Sequence, residues 1–415
     1  MSDITRLCDF TLTSDERLQI LREMGMPEYE PTEFVNNHIH TTYSFSPYTP
    51  SGAVYMAKKA GLTTCGIVDH DSISGAEEFI EAGKILDIPT TIGFELRLSM
   101  KGTPFEGRHL NNPDQTSIAY FAMHSIPHQS IGTVEKFLAP LRAKRNERNV
   151  KQVAKINELF APYGISIDFE KDVIPLSMYK VGGSVTERHI LFALVKKVAD
   201  GKTREDVNTL INELVGLDEK TANKLLSAPD NFYLYDILGV FKSKLIKKIY
   251  VPADEELVHA TDFVKLAKET GAIAAYAYLG DVAESPTGDK AAQKFEDDFV
   301  EELFEYLHSI GVTAITYMPS RNTPEQLERV MKLCDKYGFF QISGEDVNSP
   351  RQSFTCPAML NYPHLFEATY ALIGNEIYSA DSLDKAIFSD GMKDKFASLG
   401  DRIAFYANIG RNSNK

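Results

Sequence analysis

The residues in this chain best equipped for chemistry are a few histidines and carboxylates that stand where apolar runs end. The run FVNNHIH closes on His38 and His40. Side chains alternate faces along a strand, so an H-x-H pair sends both imidazoles to the same side, where they can grip one ion together. The run TTCGIVDHD ends on Asp69, His70 and Asp71, and IPTTIGFELRL carries Glu95. SIAYFAMHSI carries His124, and FFQISGED delivers Asp346. Imidazole nitrogens with carboxylate oxygens suit Zn²⁺, Mn²⁺ or Fe²⁺ better than Ca²⁺, and a carboxylate such as Glu95 can bridge two ions. A histidine near a strand end is, taken alone, as often a hydrogen-bonded core or surface residue. The combination is what points to a divalent-metal centre of one or two ions.

For residues so far apart in sequence to meet, the elements carrying them must converge. Short β-branched and apolar runs alternate with helical patterns: a strand over 34–40, a helix near 50–60, a strand over 63–71, a helix near 74–86 and a strand over 88–98. This βαβα order is that of a parallel α/β sheet or barrel, in which the C-terminal strand ends gather on one face. A further strand over 117–126 precedes a long helix whose apolar positions Val150, Val153, Ile156 and Phe160 recur every three or four residues. From 139 to 255 helical patterns dominate, which reads as a helical insertion. Alternation then resumes, with strands over 271–281, 311–319 and 339–350 and helices from about 290 to 308 and through PEQLERVMKLCDKYG. The expected organisation is an N-terminal extension (1–33), a barrel in two parts (34–138 and 256–350), the insertion (139–255) and a helical C-terminal elaboration (351–415) packed on the outside.

Composition narrows the partners. At 415 residues and 43% hydrophobic content the chain can bury a large core, and no apolar run approaches the ~20 residues that span a bilayer. The start, MSDITRLCDFTLTSDERLQI, lacks the apolar stretch and cleavage site of a signal peptide, so the expected location is cytoplasmic, with no membrane partner. Cys8, Cys65, Cys334 and Cys356 lie far apart and fit buried reduced thiols. A net charge of −14 argues against binding extended nucleic acid but leaves room for a small phosphorylated substrate held locally. KSKLIKKIY (242–250) reads as the end of an amphipathic helix.

These stretches together resemble the PHP (polymerase and histidinol phosphatase) family, in particular its stand-alone metal-dependent phosphoesterases. The likeness covers about 34–200 and 256–350. It is carried by HIHTTYSFSPYTPSGAVYMAKKAGLTTCGIVDHDSISG, GFEL, LRAKRNERNVKQVAKINELFAPYGISI, VTERHILFALV and GVTAITYMPSRNTPEQLERVMKLCDKYGFFQISGED. The resemblance implies a distorted (β/α)7 barrel that holds up to three ions and hydrolyses phosphoesters through a metal-bound hydroxide. By the same resemblance, a first ion would take His38, His40, Glu95 and Asp346. A second would share Glu95 and add His124, but Tyr278 replaces its further histidine. A third would use His70, but Phe45 and Asn348 stand where its other ligands belong.

On this reading His70 and Asp69 are the catalytic candidates. His70 would act as proton donor or substrate contact, while Asp69 and Asp71 orient histidines or cap the following helix. Phosphate candidates are Arg145 and Arg148 on the Arg-rich helix, His189 in the family-like part of the insertion, and Arg321 and Arg351 just beyond strand ends. The bland alternatives stand beside them: Lys144, Arg148, Lys151 and Lys155 form a stripe at helical spacing that reads as a solvated face, and His189 suits helix packing as well as a cleft. The expected function is a metal-dependent phosphoesterase. The alternatives are a catalytically weak or inactive metal-binding or ligand-sensing module, and a metal hydrolase of amidohydrolase type.

Overall fold

The computed structural model describes residues 3–282 and 293–413. Two N-terminal helices, α1 (Asp3–Leu7) and α2 (Ser14–Met24), precede the sheet, and α2 begins with a reciprocal capping box between Thr13 and Glu16. Next come β1 (Val35–Ile39), α3 (Pro50–Lys59), β2 (Thr64–His70), α4 (Ala76–Ile85) and β3 (Thr90–Ser99), the parallel unit that the alternation predicts. Arg17 of α2 donates from Nε to Glu78 Oε1 of α4 at 2.9 Å with both side chains buried, which fastens the N-terminal extension to the barrel.

The next strand departs from the expectation of a parallel sheet. β4 (Ile118–His124) runs antiparallel to β3. After the insertion, β5 (Val258–His259) adds a short parallel strip to β3, and β6 (Ile273–Ala277) again lies antiparallel to β4. The sheet finishes with β7 (Ala314–Thr316) and β8 (Phe340–Ile342), parallel to β6, in the order β1-β2-β3-β4-β6-β7-β8. The physical reason lies in 100–117, which joins β3 to β4 without a helix. A parallel return needs a crossover, usually helical, whereas an antiparallel one needs only a turn or loop.

The sheet curls into a half-barrel whose two edges approach each other. The His40 amide donates to the Val347 carbonyl at 3.0 Å, and the Val347 amide to the His38 carbonyl at 3.1 Å, so the segment after β8 lies along the end of β1. Gly344 permits that approach, because a Cβ there would sit 2.6 Å from the His38 amide nitrogen.

Three hydrophobic cores organise the helices. One sheet face, with Phe94, Leu96, Phe121, Met123 and Tyr276, packs under α3, α4 and, beyond the insertion, α10 (Ala260–Thr270), α11 (Val300–Ser309) and α12 (Pro324–Tyr337). The insertion, α5 (Ile131–Phe160), α6 (Glu187–Ala199), α7 (Arg204–Val215), α8 (Glu219–Ser227) and α9 (Asp230–Ile249), has a core of its own, which α5 joins from Val153 onward and to which the loop after β1 adds Phe45. The expected boundary at 139 therefore falls inside α5, and Val150, expected on the apolar face, is 48% exposed. Positions 290–292 of the helix expected over 290–308 lie outside the described residues.

Of the C-terminal helices α13 (Pro363–Tyr378), α14 (Asp390–Lys395) and α15 (Leu399–Arg411), the first is largely buried, although the sequence suggested an elaboration packed on the outside. Ala368, Ala371 and Leu372 of α13 pack on Ile273, Ala275, Ala314, Phe340 and Ile342. Cross-strand register carries this face through Ala275 and Ala122 to Glu95, so α13 covers the lower part of the same face that holds the histidines. Among the described residues no helix is long and apolar enough to cross a membrane.

Candidate metal centre

β1 presents its two histidines from a slightly irregular strand. Asn36 Oδ1 accepts from the His38 amide at 2.9 Å and Asn36 Nδ2 donates to the Glu345 carbonyl at 3.1 Å, while the register with β2 shifts between Asn36 and Ile39. His38 and His40 face the same side, with ring centroids 5.1 Å apart. Parallel register pairs His70 at the end of β2 with Glu95 in β3, so these two share a face as well. His70 Nδ1 lies 3.0 Å from Glu95 Oε2, which is 3.9 Å from His38 Nε2. The His70 ring stacks on His40 at 4.6 Å. Asp346, beyond β8, brings Oδ1 to 3.1 Å from His40 Nε2.

Among the described residues two overlapping groups result: His38, His40 and Asp346, and His40, His70 and Glu95. Within each, one ligand atom per residue lies within 4.8 Å of the others. Their electrostatics are those of a mutually charged cluster. Burial pushes the Glu95 carboxyl up, but His70, His38 and His40 outweigh it and hold it down to about 2. Burial likewise opposes ionisation of Asp346, yet His40, His38 and Arg188 hold it well below the usual carboxylate range. Burial also lowers the His40 imidazole, and Asp346 reverses the effect, whereas at His38 burial prevails.

The donors fit a divalent ion. Nitrogen and carboxylate oxygen converge, and buried His40 Nε2 has the Asp346 carboxylate beside it, a second donor to a shared ion. His124 Nε2 is also buried, and unpartnered. His124, however, does not join either group. Because β4 is antiparallel, His124 stands opposite Gly93, deeper than Glu95, and burial drives its imidazole down to about 3. It ends β4, as the sequence suggested, and is near enough to His38 and Glu95 for their charges to act on it.

Asp69 does not reach the cluster. Its carboxylate accepts from the Thr41 amide (2.7 Å), Thr41 Oγ1 (2.6 Å) and Ser44 Oγ, and Ser44 Oγ lies 3.4 Å from His40 Nδ1. It holds the loop that follows His40. Asp71 has a positive φ of 53° and pairs with Arg145.

Each residue that departs from the family pattern has other company. Tyr278 donates to Asp297 and accepts from Arg329, away from the histidines. Phe45, at φ 129°, is buried in the insertion's core with its ring 5.0 Å from His189. Asn348 donates to Asp346 and accepts from Arg188.

The phosphate candidates are mostly committed to the chain's own carboxylates. Arg145 pairs with Asp71 and, at 2.6 Å, Glu187. Arg148 pairs with Glu187 and Glu256 at 2.5 Å each, so it is not part of a solvated stripe. Arg351 forks onto Asp236 at 2.8 and 2.7 Å. His189 is buried, with Nδ1 accepting from the Thr186 amide at 3.0 Å in the capping box that starts α6. Arg321 sits in the loop after β7, partly buried. Arg97 is the residue sequence reasoning missed. It follows Glu95 by two positions on β3, and period-two alternation puts it on the same face, 3.5 Å from both Glu187 and Glu256.

Fold and cluster together define an α/β half-barrel with a histidine–carboxylate centre at the strand ends. Residues 36–154 match the PHP domain, as the resemblance in the sequence implied. A stretch of 63 residues is 41% identical to the error-prone DNA polymerases of Mycobacterium bovis and Mycobacterium tuberculosis, but it spans 15% of this chain and only 6% of theirs. In three dimensions the chain is similar to a Bifidobacterium adolescentis protein described provisionally as a metal-dependent phosphoesterase. That likeness has a TM-score of 0.53 at 18% identity, over 80% of this chain and 96% of that one. It is also similar to an amidohydrolase from Chromobacterium violaceum, solved with sulfate and without metal, with a TM-score of 0.52 at 18% identity over 78% and 90%. At such identity these likenesses speak to the fold.

Proposed function

We propose that this chain is a metal-dependent hydrolase that cleaves phosphoesters of a small phosphorylated metabolite or nucleotide. The observation that carries the reading is the pair of overlapping groups, His38 with His40 and Asp346, and His40 with His70 and Glu95, which share His40. His38, His40, Glu95 and Asp346 would hold the ion, with His124 behind them as a partial second position. When bound, an ion of the Zn, Mn or Fe type supplies Lewis acidity toward the phosphoryl oxygen and activation of water.

The chain's own residues position and move protons. His70 has a side chain 29% exposed and is oriented through Nδ1 by Glu95, so it is the group placed to deliver a proton to the leaving oxygen. Asp69 acts at a distance, fixing Thr41 and Ser44 and through them the setting of His40. Recognition of phosphate by Arg145, Arg148 or Arg351 would require each to give up an ion pair it already makes.

One observation favours a second reading, that of a binding module without turnover: Tyr278, which stands where the second ion's further histidine would be, donates to Asp297 instead, which leaves the second ligand set incomplete. A panel of phosphomonoesters, phosphodiesters and amides with Zn²⁺, Mn²⁺ and Fe²⁺ separates the readings. Phosphoester turnover that falls in His70→Gln while metal content persists supports the hydrolase. Metal without turnover favours the module, and turnover of amides alone favours the amidohydrolase type. A chain with neither metal nor turnover refutes all three.

A further inference from the structure

The helical insertion meets the metal centre through two adjacent residues in the first turn of α6. His189 packs against Phe45 of the loop that follows His40. Arg188 Nη1 donates to the Asn348 carbonyl at 3.2 Å and to the Asn348 side-chain oxygen at 2.5 Å. Asn348 Nδ2 in turn donates to Asp346 Oδ1, the same oxygen that lies 3.1 Å from His40 Nε2.

The chemistry of this chain of contacts is directional. A guanidinium only donates, so the amide oxygen of Asn348 must face Arg188, and its NH₂ is thereby turned toward the carboxylate. Asp346 has a side chain 40% exposed and sits in the segment after β8, where the bridge of Val347 to β1 holds the backbone but leaves the side chain to be set by its neighbours. A hydrogen bond from a neighbour that is itself held in one orientation gives it a single setting.

We propose that Arg188 and Asn348 form a relay by which the helical insertion fixes Asp346 as a ligand of the metal centre. The proposal rests on the reading above that Asp346 holds the ion, and it makes Arg188 a positioning residue. Outer partners of ligating groups commonly set metal affinity by about 10–100-fold, which gives the size of the effect.

The test is calorimetric titration of the purified full chain with Mn²⁺ alone, with urea unfolding of each variant as a check on folding. Arg188→Ala and Asn348→Ala should each weaken Mn²⁺ binding by about 10–100-fold. The double variant should be no weaker than the worse single one, because both act through the same carboxylate. Arg188→Lys, which keeps a donor, should recover part of the affinity. Tyr250→Phe removes another contact between insertion and barrel, the Tyr250 hydroxyl's bond to Gln115 Oε1 at 2.8 Å, without touching Asp346, and should bind as wild type does. If Arg188→Ala does not fold, Asn348→Ala carries the test. Wild-type affinity in Asn348→Ala, or an equal loss in Tyr250→Phe, overturns the relay. A wild-type chain that takes up no Mn²⁺ overturns the metal reading itself.

Discussion

The histidine at the head of α6 offers a quantitative check on how the insertion is built. Burial drives the His189 imidazole from its ordinary 6.5 down to about 3, while its Nδ1 accepts from the Thr186 amide. The folded chain therefore keeps it neutral at pH 5, whereas the unfolded chain protonates it. Because the folded value is the lower one, its contribution to stability is complete above 6.5 and is lost as the pH falls toward 3. Between pH 7 and pH 5, proton uptake by this one side chain favours the unfolded state by about 2 kcal/mol, at about 1.36 kcal/mol per pKa unit. His189→Asn retains an acceptor for the Thr186 amide and removes the titration. Urea unfolding at the two pH values should show wild type losing about 2 kcal/mol more than the variant, other titrating groups cancelling in the difference. Parallel losses would refute the argument, since they would mean an imidazole that titrates in the open, as one lining a cleft would.

Three other outcomes follow from the same structure. Arg17→Ala leaves Glu78 buried without its partner and should cost about 3–5 kcal/mol in urea unfolding, much of it recovered when Glu78 is also replaced by an apolar residue. Glu187→Gln removes the carboxylate shared by Arg97, Arg145 and Arg148, whose combined charge holds it well below the usual range. The expected loss is about 3 kcal/mol or more by the same measurement. Gly344→Ala places a methyl group against the His38 amide and should cost about 1–3 kcal/mol while lowering metal uptake, because β1 must shift.

Much of the centre was legible in the residues themselves. Period-two alternation put His38 and His40 on one face, and the ends of apolar runs pointed to Glu95 and Asp346; the structure places Glu95 in the middle of β3 and Asp346 four residues beyond β8, yet both beside the histidines. The same rule, applied two positions past Glu95, would have found Arg97. The direction of β4 was harder to read, since alternation does not encode strand direction. The signal was in 100–117, a Gly-, Pro- and Asn-bearing stretch without helical periodicity, too poor in structure for a parallel crossover. The placement of α13 had a signal too. PHLFEATYALIGNEIY is apolar on almost every side, the mark of a helix covered all round rather than one lying on a surface. What could not be read was how the arginines are spent. Asp71, Glu187 and Glu256 are as far from Arg148 in sequence as any exposed acid, and only folding shows that they neutralise it and its neighbours.

The central claim is that strand-end histidines and carboxylates form a nest for a divalent ion, and metal content tests it most directly. Purified wild-type chain loaded with Zn²⁺, Mn²⁺ or Fe²⁺ and freed of excess should retain about one equivalent or more, as expected for a site of four donors. The double variant His38→Ala/Glu95→Ala, shown to be folded by its unfolding transition, should retain essentially none. Metal content unchanged in that variant would contradict the account.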